Sequence, residues 1–99
     1  MMPDDRGLPE ITPYVDLIDR FLQGSVSAPD FQLTYLRMVK NERRILGGRV
    51  FPVLQELFED ADRYVADSRL RTGAEDLDDD GLMSCAARAR SALRDLGYT

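Results

Sequence analysis

Apolar residues recur every three or four positions in four separate segments, which predicts four amphipathic helices. The first helix is predicted to start at Thr12 as N-cap, with Pro13 in the first helical position, and Gly24 predicts its end. The second is predicted to start at Ser27, because Ser27 and Asp30 have the spacing of a capping box. The apolar faces of these two helices carry Tyr14, Leu17, Ile18, Phe21 and Leu22, and then Phe31, Tyr35, Met38 and Val39.

The third helix is predicted to begin between Arg49 and Pro52 and to run to about Ala66. The fourth is predicted to begin at Asp78 or Asp79 and to end at Gly97. Their apolar stripes comprise Val50, Leu54, Leu57, Phe58, Ala61 and Val65, and then Leu82, Cys85, Ala86, Ala89, Leu93 and Leu96.

Four helices with short connections, and no strand-like alternation, predict an all-α fold, a compact antiparallel four-helix bundle. Residues 12–99 form the predicted single domain, and residues 1–11, with two prolines and a glycine, are interpreted as a mobile leader. Leu33 points away from the apolar face of the second helix. It is either a lone exposed leucine or a contact with a partner.

The composition argues against an enzyme. The 99 residues include no histidine, which removes the commonest general base and metal ligand, and no glycine-rich phosphate loop. The single cysteine, Cys85, lies on the core stripe of the fourth helix and is interpreted as a buried apolar residue. We therefore expect no catalytic residues and no cofactor. The absence of a long apolar run and of a secretory signal predicts a cytoplasmic protein.

The net charge of −5 argues against nucleic acid as a direct partner. The acidity is concentrated in residues 56–80, where ten acids and three arginines give −7. Glu56, Glu59 and Arg63 are predicted at the middle of the polar face of the third helix, with Asp60 and Asp62 beside them. This segment is either a solvated face, with Glu59 and Arg63 as an i,i+4 pair, or a surface that attracts a basic partner. Its acids are Glu56, Glu59, Asp60, Asp62, Asp67, Glu75, Asp76, Asp78, Asp79 and Asp80.

Residues 76–81 match the first half of a calcium-binding loop, with aspartates at positions 1, 3 and 5 and Gly81 at position 6. Position 12 of that loop is Ala87, where a bidentate glutamate is needed. Asp78, Asp79 and Asp80 are better interpreted as the cap and first turn of the fourth helix. We therefore predict no metal site.

Three stretches in order carry a resemblance to a known family. The first is residues 21–28 with Phe31 and Tyr35-Leu36, and the second is residues 57–64 with Asp67 and Leu70-Arg71. The third follows the acidic cap and comprises Leu82, Ala86, Ala89 and Leu93-Arg94. Over about residues 14–96 this series resembles the colicin D immunity family, the bacterial self-protective colicin-like immunity proteins.

The resemblance implies a helical bundle that binds and neutralises a toxin domain made by its own cell. The namesake toxin cleaves transfer RNA, which implies a basic active cleft and an inhibitor whose acids replace RNA phosphates. The matched acids are Glu59, Asp60, Asp62 and Asp67. Electrostatics extends this predicted toxin-binding surface to Glu56 and to Asp76, Asp78, Asp79 and Asp80.

Two departures from the family pattern stand out: residues 1–13 and the basic stretch of Lys40, Arg43, Arg44 and Arg49. The basic stretch either contacts an acidic part of the partner or balances charge. The protein is expected to be a monomer or a 1:1 heterodimer with a nuclease toxin. The alternative is a helical adaptor or regulatory subunit unrelated to immunity. A neighbouring gene for a large polymorphic toxin would favour the first hypothesis.

Overall fold

The computed structural model describes residues 9–65, 70 and 76–98. This part of the chain forms four helices and no strand, which confirms the predicted helical bundle. The helices follow one another around the bundle, and α1 also packs against α4 while α2 contacts α4 across the centre. They are α1 (Thr12–Leu22), α2 (Ala28–Lys40), α3 (Gly47–Asp62) and α4 (Asp79–Leu96). None of these helices has the length and apolar content that crossing a membrane requires.

Aromatic side chains from α1 and α2 form the centre of the core. The rings of Phe21 and Phe31 stack with centroids 4.5 Å apart, and Tyr35 stacks on Phe31 at 5.4 Å. The Tyr35 hydroxyl donates to the backbone oxygen of Leu54 at 2.8 Å, which ties α2 to α3. Burial raises the pKa of this hydroxyl above its ordinary value, so it remains a donor. The predicted apolar faces of α1 and α2 therefore meet one another and α3.

The start of α1 differs from the prediction. Ile11, not Thr12, is the N-cap residue, and the only capping side chain in the described residues is that of Glu10, whose carboxylate accepts from the amide of Thr12 at 3.3 Å. Ile11 is fully buried, and the backbone oxygen of Pro9 accepts a hydrogen bond from the Tyr98 hydroxyl at 2.6 Å. Ile11 therefore belongs to the core and not to the predicted leader of residues 1–11, because burial of its side chain stabilises the fold. Residues 1–8 lie outside the described part of the chain.

The junction of α1 and α2 is as predicted. Gly24 has a φ of +83°, and the amide of Ser25 donates to the backbone oxygen of Arg20 at 2.9 Å. This is the Schellman arrangement that glycine favours at a helix end. The Ser27 side chain accepts from the amide of Asp30 at 3.3 Å, which confirms the predicted cap of α2.

Helix α3 begins and ends earlier than predicted. It starts at Gly47, so Pro52 lies inside the helix. The missing amide of Pro52 would face the carbonyl of Gly48 in the first turn, where the lost hydrogen bond affects only the start of the helix. The helix ends at Asp62 because the next residues pair with the chain that enters α4. Val65, predicted on the core stripe, lies half-buried in that pairing.

Helix α4 follows its prediction closely. Asp78 is the N-cap, and Gly97 lies just beyond the last helical residue. Five of its predicted inward residues are buried, and the sixth, Leu96, is half-buried. Arg90 is also buried, which the apolar pattern does not predict. It donates to a carboxylate oxygen of Asp19 at 2.8 Å and to the backbone oxygen of Tyr98 at 3.0 Å, so its charge is paired.

Candidate protein-binding surface

The exposed face of α3 carries the acids that the sequence singles out. Glu56, Glu59 and Asp62 are all exposed. A carboxylate oxygen of Glu59 accepts a hydrogen bond from the Gln55 side-chain amide at 3.3 Å. None of the three forms an ion pair with a cation in residues 9–65, 70 and 76–98. We call these three residues the acidic face of α3. Within the described structure, no cation lies within ion-pair distance of their carboxylates.

The position of this face along the helix is electrostatically unfavourable. Glu59 and Asp62 lie in the last turn of α3, and that turn carries no basic residue. The carbonyl end of a helix has partial negative charge, so acids near it are destabilising, by typically about 0.3–1 kcal/mol each. Helix stability therefore does not account for these carboxylates.

Asp60 does not belong to the exposed surface. It is predicted beside the polar face, but only 5% of it is exposed. Its carboxylate pairs with the Arg63 guanidinium, and Asp60 lies beside Cys85 of α4. The difference arises because α4 covers the flank of α3 on which Asp60 lies. Burial, and secondly the negative charge of Asp60, raises the pKa of the Cys85 thiol.

This geometry also overturns the predicted Glu59–Arg63 ion pair. The Arg63 guanidinium pairs instead with Asp60, three residues before it. The charges of Asp60 and Arg63 therefore offset each other, and Glu59 keeps its charge towards solvent.

The end of α3 is held in place by contacts from α2 and from the chain entering α4. The Gln32 side-chain amide donates to the backbone oxygens of Ala61 and Tyr64, at 2.9 and 3.0 Å. The amide of Val65 donates to the oxygen of Leu77, and the amide of Leu77 to the oxygen of Arg63, each at 3.0 Å. These bonds form an isolated parallel bridge. The start of α4 is thereby fixed beside the acidic face of α3.

The acids at the start of α4 have a structural role. The Asp78 carboxylate accepts from the amide of Gly81 at 2.7 Å, and Asp79 accepts from the Tyr64 hydroxyl. Asp79 and Asp80 occupy the first turn, where the helix dipole favours negative charge. Asp76 precedes the cap and is half-buried. These four acids add negative charge next to α3, but capping alone already explains Asp78 and Asp79.

Two of the acids in the predicted cluster, Asp67 and Glu75, lie outside the described residues. Within the described part of the chain, no three acidic or cysteine side chains are grouped as metal ligands.

Sequence reasoning missed an apolar surface at the other end of α3. Ile45 is 98% exposed and Phe51 is 50% exposed. A signal exists in the sequence: Ile45 lies in a polar break between helices, and Phe51 lies off the core stripe of α3. Leu33 is 59% exposed on α2, on the side that its spacing predicts.

One comparison with known proteins identifies relatives of this chain. A family model described as bacterial self-protective colicin-like immunity matches residues 10–96, which is nearly all of the described structure. Neither a curated protein nor a solved structure matches the chain.

Proposed function

The chain belongs to the family of bacterial self-protective colicin-like immunity proteins, and we propose that the acidic face of α3 covers the basic active cleft of its toxin. As a member of this family it is a toxin-neutralising immunity protein. The family model spans residues 10–96, so an adaptor unrelated to immunity loses its support. The family gives the function, and the proposed role of the acidic face gives the site and the mechanism of neutralisation.

The observation that carries the proposal is the cost of the acidic face to its own helix. Glu59 and Asp62 lie at the negative end of α3 without a cation to offset them in the described structure. A surface with no role would be more stable with basic residues there. Residues retained against stability are typical of functional sites.

The shape of the surface supports contact with a basic cleft. Glu56, Glu59 and Asp62 recur every third residue, so their carboxylates form a row along an exposed helical face. The first turn of α4 extends the negative field beyond the end of this row. A row of carboxylates can replace RNA phosphates at arginine and lysine side chains, because both are anions with oxygen acceptors. This supports a nuclease as the toxin, and we propose RNA as its substrate because the chain resembles the colicin D immunity family, whose namesake toxin cleaves transfer RNA.

The proposed inhibition is stoichiometric and involves no chemistry by the inhibitor. The sequence has no histidine, and its one cysteine is buried with a raised thiol pKa, so it is a poor nucleophile. Complementary charge would speed the encounter of the two proteins, and one inhibitor would occupy one toxin domain.

The test compares two charge reversals of equal size. Glu59→Lys with Asp62→Lys reverses the acidic face, and Asp16→Lys with Asp95→Lys reverses two exposed acids elsewhere. Association with the purified toxin domain encoded beside this gene would be measured by stopped flow at 0.01 M and 0.15 M salt. Reversal of the acidic face should slow association about tenfold or more at low salt and abolish protection of cells. The control pair should leave protection intact and change the rate much less.

Two further readouts separate the parts of the proposal. The acidic-face variant should melt at or above the parent, because lysines at the carbonyl end of α3 are favourable. The control variant should melt close to the parent, since exposed substitutions usually change stability by about 0.5 kcal/mol or less. The toxin domain alone should cleave RNA, and an equimolar amount of the parent protein should stop that cleavage. Normal protection by the folded Glu59→Lys, Asp62→Lys variant would show that this face is not the toxin contact. Absence of RNA cleavage would exclude the nuclease assignment.

A further inference from the structure

An exposed apolar surface lies at the start of α3, and packing within the described bundle does not account for it. Ile45 is 98% exposed, so burial of its side chain contributes nothing to the fold. Together with Leu46, Phe51 and Pro52 it lines an open concavity of about 470 Å³. We call Ile45, Phe51 and Pro52 the apolar patch.

The surroundings of the apolar patch are basic. Arg43 and Arg49 lie within four residues of Ile45 along the chain and are exposed, and within the described residues neither forms an ion pair. The adjacent start of α3 has no side-chain cap and no acidic residue in its first turn, so the positive end of the helix dipole faces the same region. In a chain of net charge −5, this region is set to attract negative charge.

The loop that carries Ile45 is held in one shape. The Arg44 guanidinium donates to both carboxylate oxygens of Glu42, at 2.8 and 2.9 Å, and to the backbone oxygen of Glu10 at 2.7 Å. The Tyr14 hydroxyl of α1 donates to the same Glu42 carboxylate at 2.9 Å. A surface fixed before binding loses little conformational entropy when a partner docks.

The apolar patch and the acidic face lie on one side of α3. Successive helical residues are rotated by about 100°, so Phe51 and Asp62, eleven residues apart, project within roughly 20° of each other. They are separated by about 16 Å along the helix, from the rise of 1.5 Å per residue. A typical protein interface, of about 800 Å² per partner, is wide enough to cover both.

We propose that the apolar patch is a second contact surface for the toxin and takes an acidic segment of that protein bearing an apolar side chain. This rests on the proposed function, because it assigns the same partner to both ends of α3. The acidic face would engage the basic cleft, and the apolar patch would engage a negatively charged region outside it. The opposite charges at the two ends would then fix the orientation of the complex.

The test places a photo-reactive amino acid at position 45 and, in a second variant, at position 59. Both side chains are exposed, so the fold should be unaffected. Each variant is mixed with the toxin domain encoded beside this gene, illuminated, and analysed by mass spectrometry. Position 45 should cross-link to a toxin peptide of net negative charge, and position 59 to a basic one.

A charge variant measures the strength of the contact. Ile45→Glu should speed dissociation about tenfold or more, because it removes the apolar side chain and repels an acidic segment. Leu33→Glu introduces the same charge at an exposed apolar residue of α2 and should change dissociation far less.

The outcomes distinguish this proposal from the one on which it rests. Cross-linking from position 59 but not from 45, with unchanged dissociation for Ile45→Glu, overturns the second contact and leaves the acidic face intact. A cross-link from position 45 to another copy of the chain, or binding of the parent to anionic phospholipid vesicles that Ile45→Glu abolishes, also overturns it. Toxin binding with no cross-link from either position overturns both proposals.

Discussion

The two ends of α3 contrast in charge, capping and support. At its start, the N-cap residue Leu46 has no side chain that could cap the helix, and exposed arginines and an exposed isoleucine lie nearby in the sequence. At its end, acids accumulate where the dipole disfavours them, while Gln32 and the bridge to Leu77 secure the backbone. Each end carries charge of the sign that its dipole already supplies. Fold stability alone would favour the opposite arrangement, which is the observation that supports the two contact surfaces proposed above.

The largest expected effect is a difference in stability between substitutions of Asp60 and Asp62, two neighbouring acids at the end of α3. Asp60→Lys removes the ion-pair partner of Arg63 and buries an unpaired cation at a position that is only 5% exposed, so we expect a loss of about 3–5 kcal/mol in the free energy of unfolding. Asp62→Lys changes an exposed residue at the unfavourable end of the dipole and should be neutral or slightly stabilising. Urea denaturation of both variants checks this. Equal losses would mean that Asp60 is not buried in solution.

That pair of variants shows where sequence reasoning reaches its limit. The spacing of Val50, Leu54 and Leu57 predicts the buried side of α3, but Asp60 lies at its border. Whether a border residue is covered depends on the neighbouring helix, here on Cys85 of α4. Periodicity within one helix contains no information on that contact. The four helices are predictable because each has its own apolar stripe and end signals.

The start of α3 can be tested through its two glycines. Gly47 has a φ of +88°, a conformation that costs an L-residue roughly 1–2 kcal/mol, so Gly47→Ala should lower stability by that amount. Gly48 lies inside the helix with open space where an alanine side chain would project, and Gly48→Ala should raise stability by about 0.5–1 kcal/mol. Thermal unfolding of the two variants measures the difference. Destabilisation by both would contradict a helix that begins at Gly47.

The apolar patch and the first residues of the helices are harder to predict from the sequence than the helices themselves. Pro52 favours a later start for α3, since proline is usual in a first turn, and the glycine pair resembles part of the preceding break. The sequence shows Ile45 only as a single apolar residue in a polar break, and one residue has no periodicity from which the position of its side chain could be predicted. Its exposure follows from the hydrogen bonds of Arg44 to Glu42 and Glu10, which hold the loop away from the core.

A smaller effect concerns the pH dependence of the loop before α3. The Arg44 hydrogen bonds, and secondarily the Tyr14 hydroxyl, lower the pKa of Glu42 from 4.5 to about 2. A lowered pKa in the folded state stabilises it above pH 4.5, and this contribution is lost as the pH falls from 4.5 towards 2. Because Arg44 is half-exposed, we expect about 1 kcal/mol at neutral pH.

Glu42→Gln tests this contribution. The variant should melt below the parent at pH 7, and the difference should shrink as the pH falls below 4. Asp16→Asn, which removes an exposed ion pair with Arg20, is the control and should shift melting much less at pH 7. A difference for Glu42→Gln that is constant from pH 7 to pH 3 would contradict the assigned cause.

The smallest expected effect is that of calcium at the start of α4. The Asp78 carboxylate already accepts a hydrogen bond from Gly81, and Ala87 stands where a calcium loop needs its bidentate glutamate. Millimolar calcium should therefore leave the melting temperature unchanged, and magnesium serves as the control. A rise specific to calcium would replace the capping role of Asp76–Asp80 with a metal site.

The bridge between Tyr64 and Leu77 has an evolutionary consequence. The segment that connects α3 to α4 begins and ends at residues that are hydrogen-bonded to each other. The number of residues between 65 and 77 is therefore not set by the distance between the helices. Lengthening a connection whose ends are already joined costs little, since closure entropy grows only slowly with length. Insertions and deletions between residues 65 and 77 are therefore the changes that this framework best accommodates. Such changes would leave the inherited four-helix bundle unchanged.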